Sequence, residues 1–380
     1  MNSTKLSGIY IHIPFCVKKC LYCDFLSFSN MENKLSEYVE ALLREIKSIQ
    51  YEKTIDSIFF GGGTPSIMNS SYVEQIMEGL NNQFNISMDC ETTMEVNPAT
   101  LSMDKLNGYV KAGVNRISIG MQSTNDDELK LLGRIHKYND FLEAYDEVRN
   151  AGIKNVNVDI MSAIPGQTLK SYERTLDRIT KLKPEHISSY SLIVEEGTPF
   201  YEMNSKGTLM LPNEDDERIM YHMTKDILKD LGYSRYEISN YSLDGYESRH
   251  NIKYWTRQDY IGLGLGASSL VNNYRYNNSS DIKDYIMNAG SEKIKQNVEL
   301  LTRKDIMEEY MYLGLRMMRG INKDKFIKEF GVSLEKIYGN VIEKLEKEKL
   351  VKNSDESLVL TELGVDVSNM VLAEFLLDIL

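Results

Sequence analysis

The chain has 380 residues, of which 42% are hydrophobic and 26% charged, so it is long enough for one large domain and a smaller one. Its formal charge of −12 at pH 7 disfavours a general electrostatic attraction to nucleic acid or anionic lipid. No segment reaches the roughly 18 apolar residues that a membrane span requires, and no signal-peptide pattern opens the sequence. We therefore expect a cytoplasmic protein without an integral membrane segment.

Short apolar or β-branched runs alternate with segments of helical periodicity over the first 200 residues. The strand-like runs lie at 9–13, 57–60, 93–96, 116–119, 156–160 and 187–191. The helical segments lie at 34–49, 72–80, 103–112, 139–150 and 169–182. This order of strand and helix predicts six α/β units that form a parallel sheet with helices outside it.

Two architectures fit this alternation, an open doubly wound sheet and a partial (β/α)6 TIM-like barrel. Polar or glycine residues follow nearly every predicted strand, at 14–23, 61–66, 97, 122, 162 and 195. In a barrel the carboxyl ends of the strands converge on one face, where sites are built. The pattern therefore favours the partial barrel.

The pattern changes after about residue 196. A helix is predicted at 214–231, a glycine-rich stretch follows at 262–267, and the chain ends with short helices and a two-stranded wing at 350–360. We expect a barrel with the cysteine loop at 1–240. A connecting region at 241–300 and a winged-helix-like domain at 301–380 then form a C-terminal α+β extension. Because the tail is rich in Asp and Glu, we expect no nucleic-acid partner.

Three of the four cysteines, Cys16, Cys20 and Cys23, follow the first predicted strand with C-x3-C-x2-C spacing. Three thiolates on one tight loop can hold three corners of a four-iron cluster, whereas an electron-transfer cluster normally takes four cysteines. Cys90 is remote in sequence and is expected to be a buried thiol, so the fourth iron would be open. The alternative is structural zinc with His12 as fourth ligand, although His12 lies within the strand and the spacing is unusual for zinc.

The cysteine loop, with Tyr22 inside it, resembles the radical SAM superfamily. The preceding His-Ile-Pro-Phe resembles the branch that contains the oxygen-independent coproporphyrinogen III dehydrogenases and the HemW haem chaperones. The resemblance implies a [4Fe–4S] cluster whose open iron binds the amino and carboxylate groups of S-adenosylmethionine. One-electron reduction of the sulfonium would then release a 5′-deoxyadenosyl radical.

Further matches to the motifs of the superfamily follow along the chain. The triple glycine at 61–63 and the next threonine would contact the methionine amino group, although by itself a triple glycine also fits a plain turn. Carboxylates can accept from ribose hydroxyls or an ammonium group, and an arginine can pair with a carboxylate. The resemblance thus implies S-adenosylmethionine contacts at Tyr10, Tyr22, Gly62, Gly63, Thr64, Glu95, Gln122, Arg134 and Asp159.

Two features distinguish between members of the branch. The dehydrogenase carries a further cysteine two residues after the third, where this chain has Phe25, and a longer segment ahead of the cluster. By contrast, residues 250–255 match the H-N-x-x-Y-W motif of the HemW family. Since an imidazole can ligate haem iron and flat rings can cover a macrocycle, the resemblance implies a haem site at His250. Composition alone favours a buried histidine packed with Trp255, the only tryptophan.

The sequence is therefore identified as a HemW-like member of the superfamily. The resemblance implies a chaperone that binds haem as cargo, a [4Fe–4S] cluster and S-adenosylmethionine, and that delivers haem to apo-haemoproteins. Respiratory-chain proteins are candidate clients, and a homodimer is a candidate assembly. No residue is assigned a catalytic role. The alternatives are a coproporphyrinogen III dehydrogenase, which would abstract hydrogen from propionate side chains, and a simple iron–sulfur electron carrier.

Overall fold

The structure, a computed structural model, describes residues 6–377. No helix in that range is both long and apolar enough to cross a membrane. The strands of the first part of the chain are β1 (Leu6–Ile13), β2 (Phe15–Cys16), β3 (Phe28–Ser29), β4 (Thr54–Gly62), β5 (Ile86–Val96), β6 (Arg116–Gln122), β7 (Asn155–Ser162) and β8 (His186–Ser191). The helices between them are α1 (Leu35–Ser48), α2 (Ser70–Gln83), α3 (Met103–Lys111), α4 (Asp126–Leu131), α5 (Tyr138–Asn150) and α6 (Leu169–Thr180).

The strands β1, β4, β5, β6, β7 and β8 pair in parallel, in the order in which they occur along the chain. A doubly wound sheet reverses its strand order at a switch point, which these six strands do not do. Because parallel crossovers are right-handed, the intervening helices lie on one face and the sheet curls around the other. Side chains of β1, β5, β7 and β8 border one chamber inside the curl. The prediction of a partial (β/α)6 barrel is confirmed.

Along each strand, side chains point alternately to the core beneath the helices and to the interior of the barrel. In β1, Ile9, Ile11 and Ile13 are fully buried in the hydrophobic core beneath the helices. Tyr10, which lies between them, borders the chamber inside the barrel. Successive side chains of a strand point to opposite faces, so each strand supplies apolar residues to the helices and polar residues to the interior.

The region that follows the barrel extends the same sheet at both edges. Its elements are α7 (Pro199–Ser205), α8 (Glu214–Asp230), β9 (Ser234–Glu237), β10 (Asn240–Ser242), α9 (Arg249–Trp255), β11 (Tyr260–Leu263), β12 (Ser268–Val271), β13 (Tyr274–Asn278), α10 (Ile282–Asn288) and β14 (Lys295–Leu300). β11 pairs in parallel with β1 and continues into antiparallel β12, β13 and β14, while β10 and β9 add to β8. Residues 241–300 thus share the sheet and core of the barrel; the predicted domain limits stay predictions.

The last segment forms a separate core. Its elements are α11 (Arg303–Gly314), β15 (Ile321–Asn322), α12 (Lys323–Phe330), α13 (Leu334–Lys347), β16 (Val351–Asn353), β17 (Ser357–Leu360), α14 (Glu362–Asp366) and α15 (Ser368–Ala373). The strands form a small antiparallel sheet in the order β15, β17, β16. Helix, strand, two helices and a hairpin in this order make the predicted winged-helix-like end.

Candidate functional site

The three clustered cysteines lie on the loop that leaves β1 at the carboxyl end of the barrel. Cys16 is buried, Cys20 and Cys23 are half-buried, and all three border one cavity of about 400 Å³. Thr64 Oγ1 donates to Cys16 Sγ (3.4 Å), and Arg134 Nη1 donates to Cys20 Sγ (3.6 Å). Elements from different parts of the chain therefore hold the thiols around a common space.

The glycine turn at the end of β4 packs directly against this loop. Gly62 has a φ of +107°, which favours glycine, and a Cβ there would lie 2.5 Å from the imidazole of His12. Gly63 N donates to Ile13 O (2.9 Å), and a Cβ on Gly63 would lie 2.8 Å from that oxygen. The glycines are therefore required for the close approach of the two backbones, and they leave Thr64 at the cavity wall.

The residues predicted to contact S-adenosylmethionine come together at the same end of the barrel. Eight of them line the cavity that the cysteines border: Tyr22, Gly62, Gly63, Thr64, Glu95, Gln122, Arg134 and Asp159. Tyr10 borders an adjoining inner chamber of about 260 Å³, whose wall also includes Glu95 and Asp159. We call the two spaces the outer cavity and the inner chamber.

Burial makes three groups of the outer cavity, Glu95, Asp159 and Cys23, hard to ionise. Burial raises the pKa of Glu95 to about 8, with the nearby Asp159 adding to the effect. Burial also raises the pKa of Asp159, and that of Cys23 to about 11. Because a bound cation favours the ionised form of each group, an ammonium, a sulfonium or iron in this cavity would reverse these shifts.

The donor set fits a four-iron cluster better than a zinc ion. A four-iron cluster joins each thiolate to a different iron, so its ligands need to border one space and not to meet at one point. Both ring nitrogens of His12, the fourth ligand of the zinc alternative, already form hydrogen bonds. Nδ1 is 3.0 Å from the Tyr10 hydroxyl, and Nε2 is 2.8 Å from Leu26 O.

One observation at Arg134 also fits an amino-acid carboxylate in the outer cavity. Its Nε is buried and has no hydrogen-bond partner among the residues that the structure describes. The same guanidinium donates to Gly120 O and to Cys20 Sγ, which fixes it at the cavity wall. An arginine presents paired donors that match a carboxylate, so this side chain is suited to the methionine end of S-adenosylmethionine.

His250 packs behind Phe59, which borders the inner chamber. It belongs to α9, is 1% exposed and borders neither the outer cavity nor the inner chamber. Its Nδ1 is 3.0 Å from Ser57 Oγ in the first half of β4, and its Nε2 is 2.9 Å from the Tyr254 hydroxyl. Burial lowers its pKa to about 3, so the ring is neutral. Iron ligation would have to displace one of these hydrogen bonds, and the haem-ligand role of His250 stays a prediction.

Several lining residues were not found from the sequence. Arg116 and Ser118 precede Gln122 in β6 with the spacing of two that places alternate residues on one face. That spacing is the signal that could have identified them. Tyr190 and Ile193, at and beyond the end of β8, also line the outer cavity, but no pattern in the sequence marks them.

The chain is similar to known proteins along nearly its whole length. The family model for the radical SAM superfamily matches residues 10–179, and that for the HemN C-terminal domain matches residues 301–367. The heme chaperone HemW of Lactococcus lactis is 37% identical over 374 residues, covering 98% of each chain. The heme chaperone HemW of Bacillus subtilis is 36% identical over 376 residues, covering 98% of this chain and 99% of the relative.

A solved structure shows the same fold. The radical SAM enzyme coproporphyrinogen III oxidase (HemN) of Escherichia coli superposes with a TM-score of 0.86 at 21% identity, covering 98% of this chain and 90% of that one. At this identity the likeness establishes the architecture alone. The full-length matches and the family model above show that the chain belongs to the radical SAM superfamily and, within it, to the HemW family.

Proposed function

We propose that the chain is a haem chaperone that binds a [4Fe–4S] cluster, S-adenosylmethionine and haem, and that transfers haem to apo-haemoproteins in the cytoplasm. The observation that carries this proposal is the similarity to HemW of Lactococcus lactis, which covers 98% of both chains. Phe25, at the position of the further cysteine of the dehydrogenase, supports it against porphyrinogen decarboxylation. Haem ligation by His250, respiratory-chain clients and a homodimer stay predictions.

The outer cavity and the adjoining inner chamber would supply partners for the cluster and for S-adenosylmethionine. Cys16, Cys20 and Cys23 would hold three irons of the cluster, and S-adenosylmethionine bound to the fourth iron would supply a reducible sulfonium. Arg134, whose Nε has no partner within the described part of the chain, would pair with the methionine carboxylate. Other groups would bind the methionine amino group or the nucleoside: Tyr10, Tyr22, Gly62, Gly63, Thr64, Glu95, Gln122 and Asp159.

Anaerobic reconstitution separates this proposal from its alternatives. The reconstituted protein is expected to bind haem stoichiometrically and to change the paramagnetic spectrum of its reduced cluster when S-adenosylmethionine is added. A spectrum that does not respond to S-adenosylmethionine would support the simple electron carrier. Decarboxylation of coproporphyrinogen III at the rate of an enzyme would instead support the dehydrogenase.

A further inference from the structure

Helix α9 lies inside the barrel, on the side of the inner chamber opposite to the cysteine loop. His250 of α9 contacts Ser57 of β4, and Ser57 lies two residues before Phe59, which borders the chamber. Residues two apart in a strand share a face, so both side chains point into the barrel. Because β4 runs toward the cysteine loop, Ser57 and α9 lie nearer to the start of the strand than the chamber does.

His250 has no access to a haem iron while α9 stays in this position. Its ring is 1% exposed, and both ring nitrogens are in hydrogen bonds. A Cβ on Gly8 of β1 would lie 3.1 Å from His250 Nδ1, so the strands leave no space beside the ring for a macrocycle. The backbone amides of Arg249 and His250 donate to Glu91 Oε1 (2.9 and 3.4 Å), which fixes the start of the helix. Haem ligation by His250 therefore requires α9 to move.

The C-terminal domain packs against the last turn of α9. Arg316, which follows α11, lies over the ring of Trp255, the last residue of α9, at 4.5 Å from the ring centroid. Two residues later, Met318 N donates to Tyr236 O (3.0 Å) in the edge strand β9. The segment that follows α11 therefore holds α9 in place and is itself held by the barrel.

The polar atoms of this contact are poorly satisfied. Four buried atoms there have no hydrogen-bond partner among residues 6–377: Trp255 Nε1, Arg257 Nη2, Arg316 Nε and Glu237 Oε2. Glu237 Oε2 and Arg316 Nη2 are 3.9 Å apart, which is too far for a hydrogen bond. A buried polar atom without a partner lowers stability, and water would satisfy these atoms if the contact opened. The closed contact is therefore poised to open at Arg316.

We propose that the C-terminal domain is a lid on α9, which withholds His250 from haem when closed and admits haem when its Arg316 edge opens. The inference rests on the proposed haem-binding function, with His250 as the ligand, and names how that site is regulated. The ion pairs of Glu309 with Arg257 and Arg275 would keep the domain attached during opening. Because haem binds only the open form, haem and closure of the lid oppose each other. The apparent affinity for haem is then reduced by the fraction of molecules that are closed.

Stopped-flow mixing with haem tests the lid through the rate of binding. In the wild type the observed rate is expected to level off as the haem concentration rises, because opening of the lid becomes rate-limiting. Arg316→Gln removes the cation over Trp255 and is expected to raise this limiting rate about tenfold. Arg319→Gln, exposed three residues later, is the matched control with the same loss of charge and is expected to keep the wild-type rate.

Hydrogen exchange of the wild type provides a second test, which decides if Arg316→Gln does not fold. The amide of Met318 is bonded across the contact, so its exchange reports opening. Haem is expected to speed exchange at Met318 and in α9, and to leave the hairpin of β16 and β17 within the domain unchanged. A uniform rise that includes this hairpin would indicate unfolding of the domain and would contradict a lid.

Two further outcomes would overturn the inference while leaving haem binding intact. One is an equal limiting rate in the wild type and Arg316→Gln. The other is unchanged or slower exchange at Met318 when haem is bound. No haem binding by the wild type would contradict the proposed function itself.

Discussion

The four thiols of the chain fall into two environments at the scale of single residues. Cys16, Cys20 and Cys23 border the outer cavity, whereas Cys90 lies within β5 and is 7% exposed. Burial raises the pKa of Cys90 to about 12, which keeps it a thiol near neutral pH. Since iron binds the thiolate, the two environments predict different consequences of removing a cysteine.

Cys20→Ala is expected to abolish cluster assembly, because two thiolates on this loop leave a second iron without a protein ligand. Cys90→Ala is the matched control and is expected to retain the full complement of iron. Iron and sulfide content after anaerobic reconstitution, with the visible absorption of the cluster, measures both. Equal loss of iron in the two variants would contradict the assignment of Cys20 as a ligand.

His250 stacks on Phe59, with ring centroids 5.2 Å apart, and uses both ring nitrogens in hydrogen bonds. His250→Ala would remove this packing and leave the Ser57 and Tyr254 hydroxyls without their partner. We expect it to lower the free energy of unfolding by about 2–4 kcal/mol and, because His250 is the predicted haem ligand, to change the visible spectrum of bound haem. Urea unfolding and haem titration of one preparation measure both. An unchanged haem spectrum would remove His250 from the haem site.

At the scale of elements, one buried carboxylate fastens α1 to the extension of the sheet. Glu45 of α1 accepts from Gly264 N (2.9 Å) beyond β11, from Asn278 Nδ2 (2.6 Å) in β13 and from the Tyr285 hydroxyl (2.6 Å) in α10. Burial raises its pKa to about 7, against the usual value near 4.5. The folded protein therefore holds a proton at Glu45 over a pH range in which the unfolded chain has released it.

This difference predicts a pH dependence of known sign. The stabilisation from the protonated group is complete below pH 4.5 and is lost as the pH rises through about 7. Glu45→Gln, which has no proton to lose, is expected to remove this pH-dependent part of the free energy of unfolding. The free energy of unfolding of wild type minus Glu45→Gln should therefore fall between pH 5 and pH 8 in urea titrations. Glu40→Gln, on the exposed face of the same helix, serves as control; a difference that does not vary with pH would refute the assignment.

At the scale of the whole molecule, the C-terminal domain is joined to the barrel by buried charges. Glu309 of α11 is 3% exposed and accepts from Arg257 Nε (2.8 Å) and Arg275 Nη2 (2.7 Å). Arg257 comes before β11, and Arg275 comes after β12. Arg316 covers the ring of Trp255 at 4.5 Å from its centroid. The conformation of α9, which ends at Trp255, is therefore coupled to the docking of this domain.

Glu309→Ala is expected to destabilise the protein by about 3–5 kcal/mol, because it leaves the buried guanidinium of Arg257 without its anion. Urea unfolding followed by tryptophan fluorescence reports on the contact, since Trp255 lies at the junction. Glu343→Ala, exposed on α13, should leave the midpoint unchanged. A wild-type midpoint in Glu309→Ala would show that these ion pairs do not hold the domain.

Much of this architecture follows from local signals in the sequence. The alternation of strands and helices predicts the barrel, and helix α8 (Glu214–Asp230) coincides with the helix predicted at 214–231. The sheet pairing of residues 241–300 could not be predicted, because β11 reaches β1 across more than 240 residues and no local pattern records that contact. For the same reason the placement of Tyr190 and Ile193 on the wall of the outer cavity became visible only in the folded chain.

Whether the protein delivers haem to its clients is decided by measuring haem transfer. The purified protein is loaded with one equivalent of haem, separated from free haem and mixed with an apo-haemoprotein of the respiratory chain, with haem-loaded albumin as the control donor. If the protein is a haem chaperone, the client regains its absorption spectrum and activity faster from it than from albumin. Retention of haem by the loaded protein, or a rate equal to that from albumin, would exclude this role.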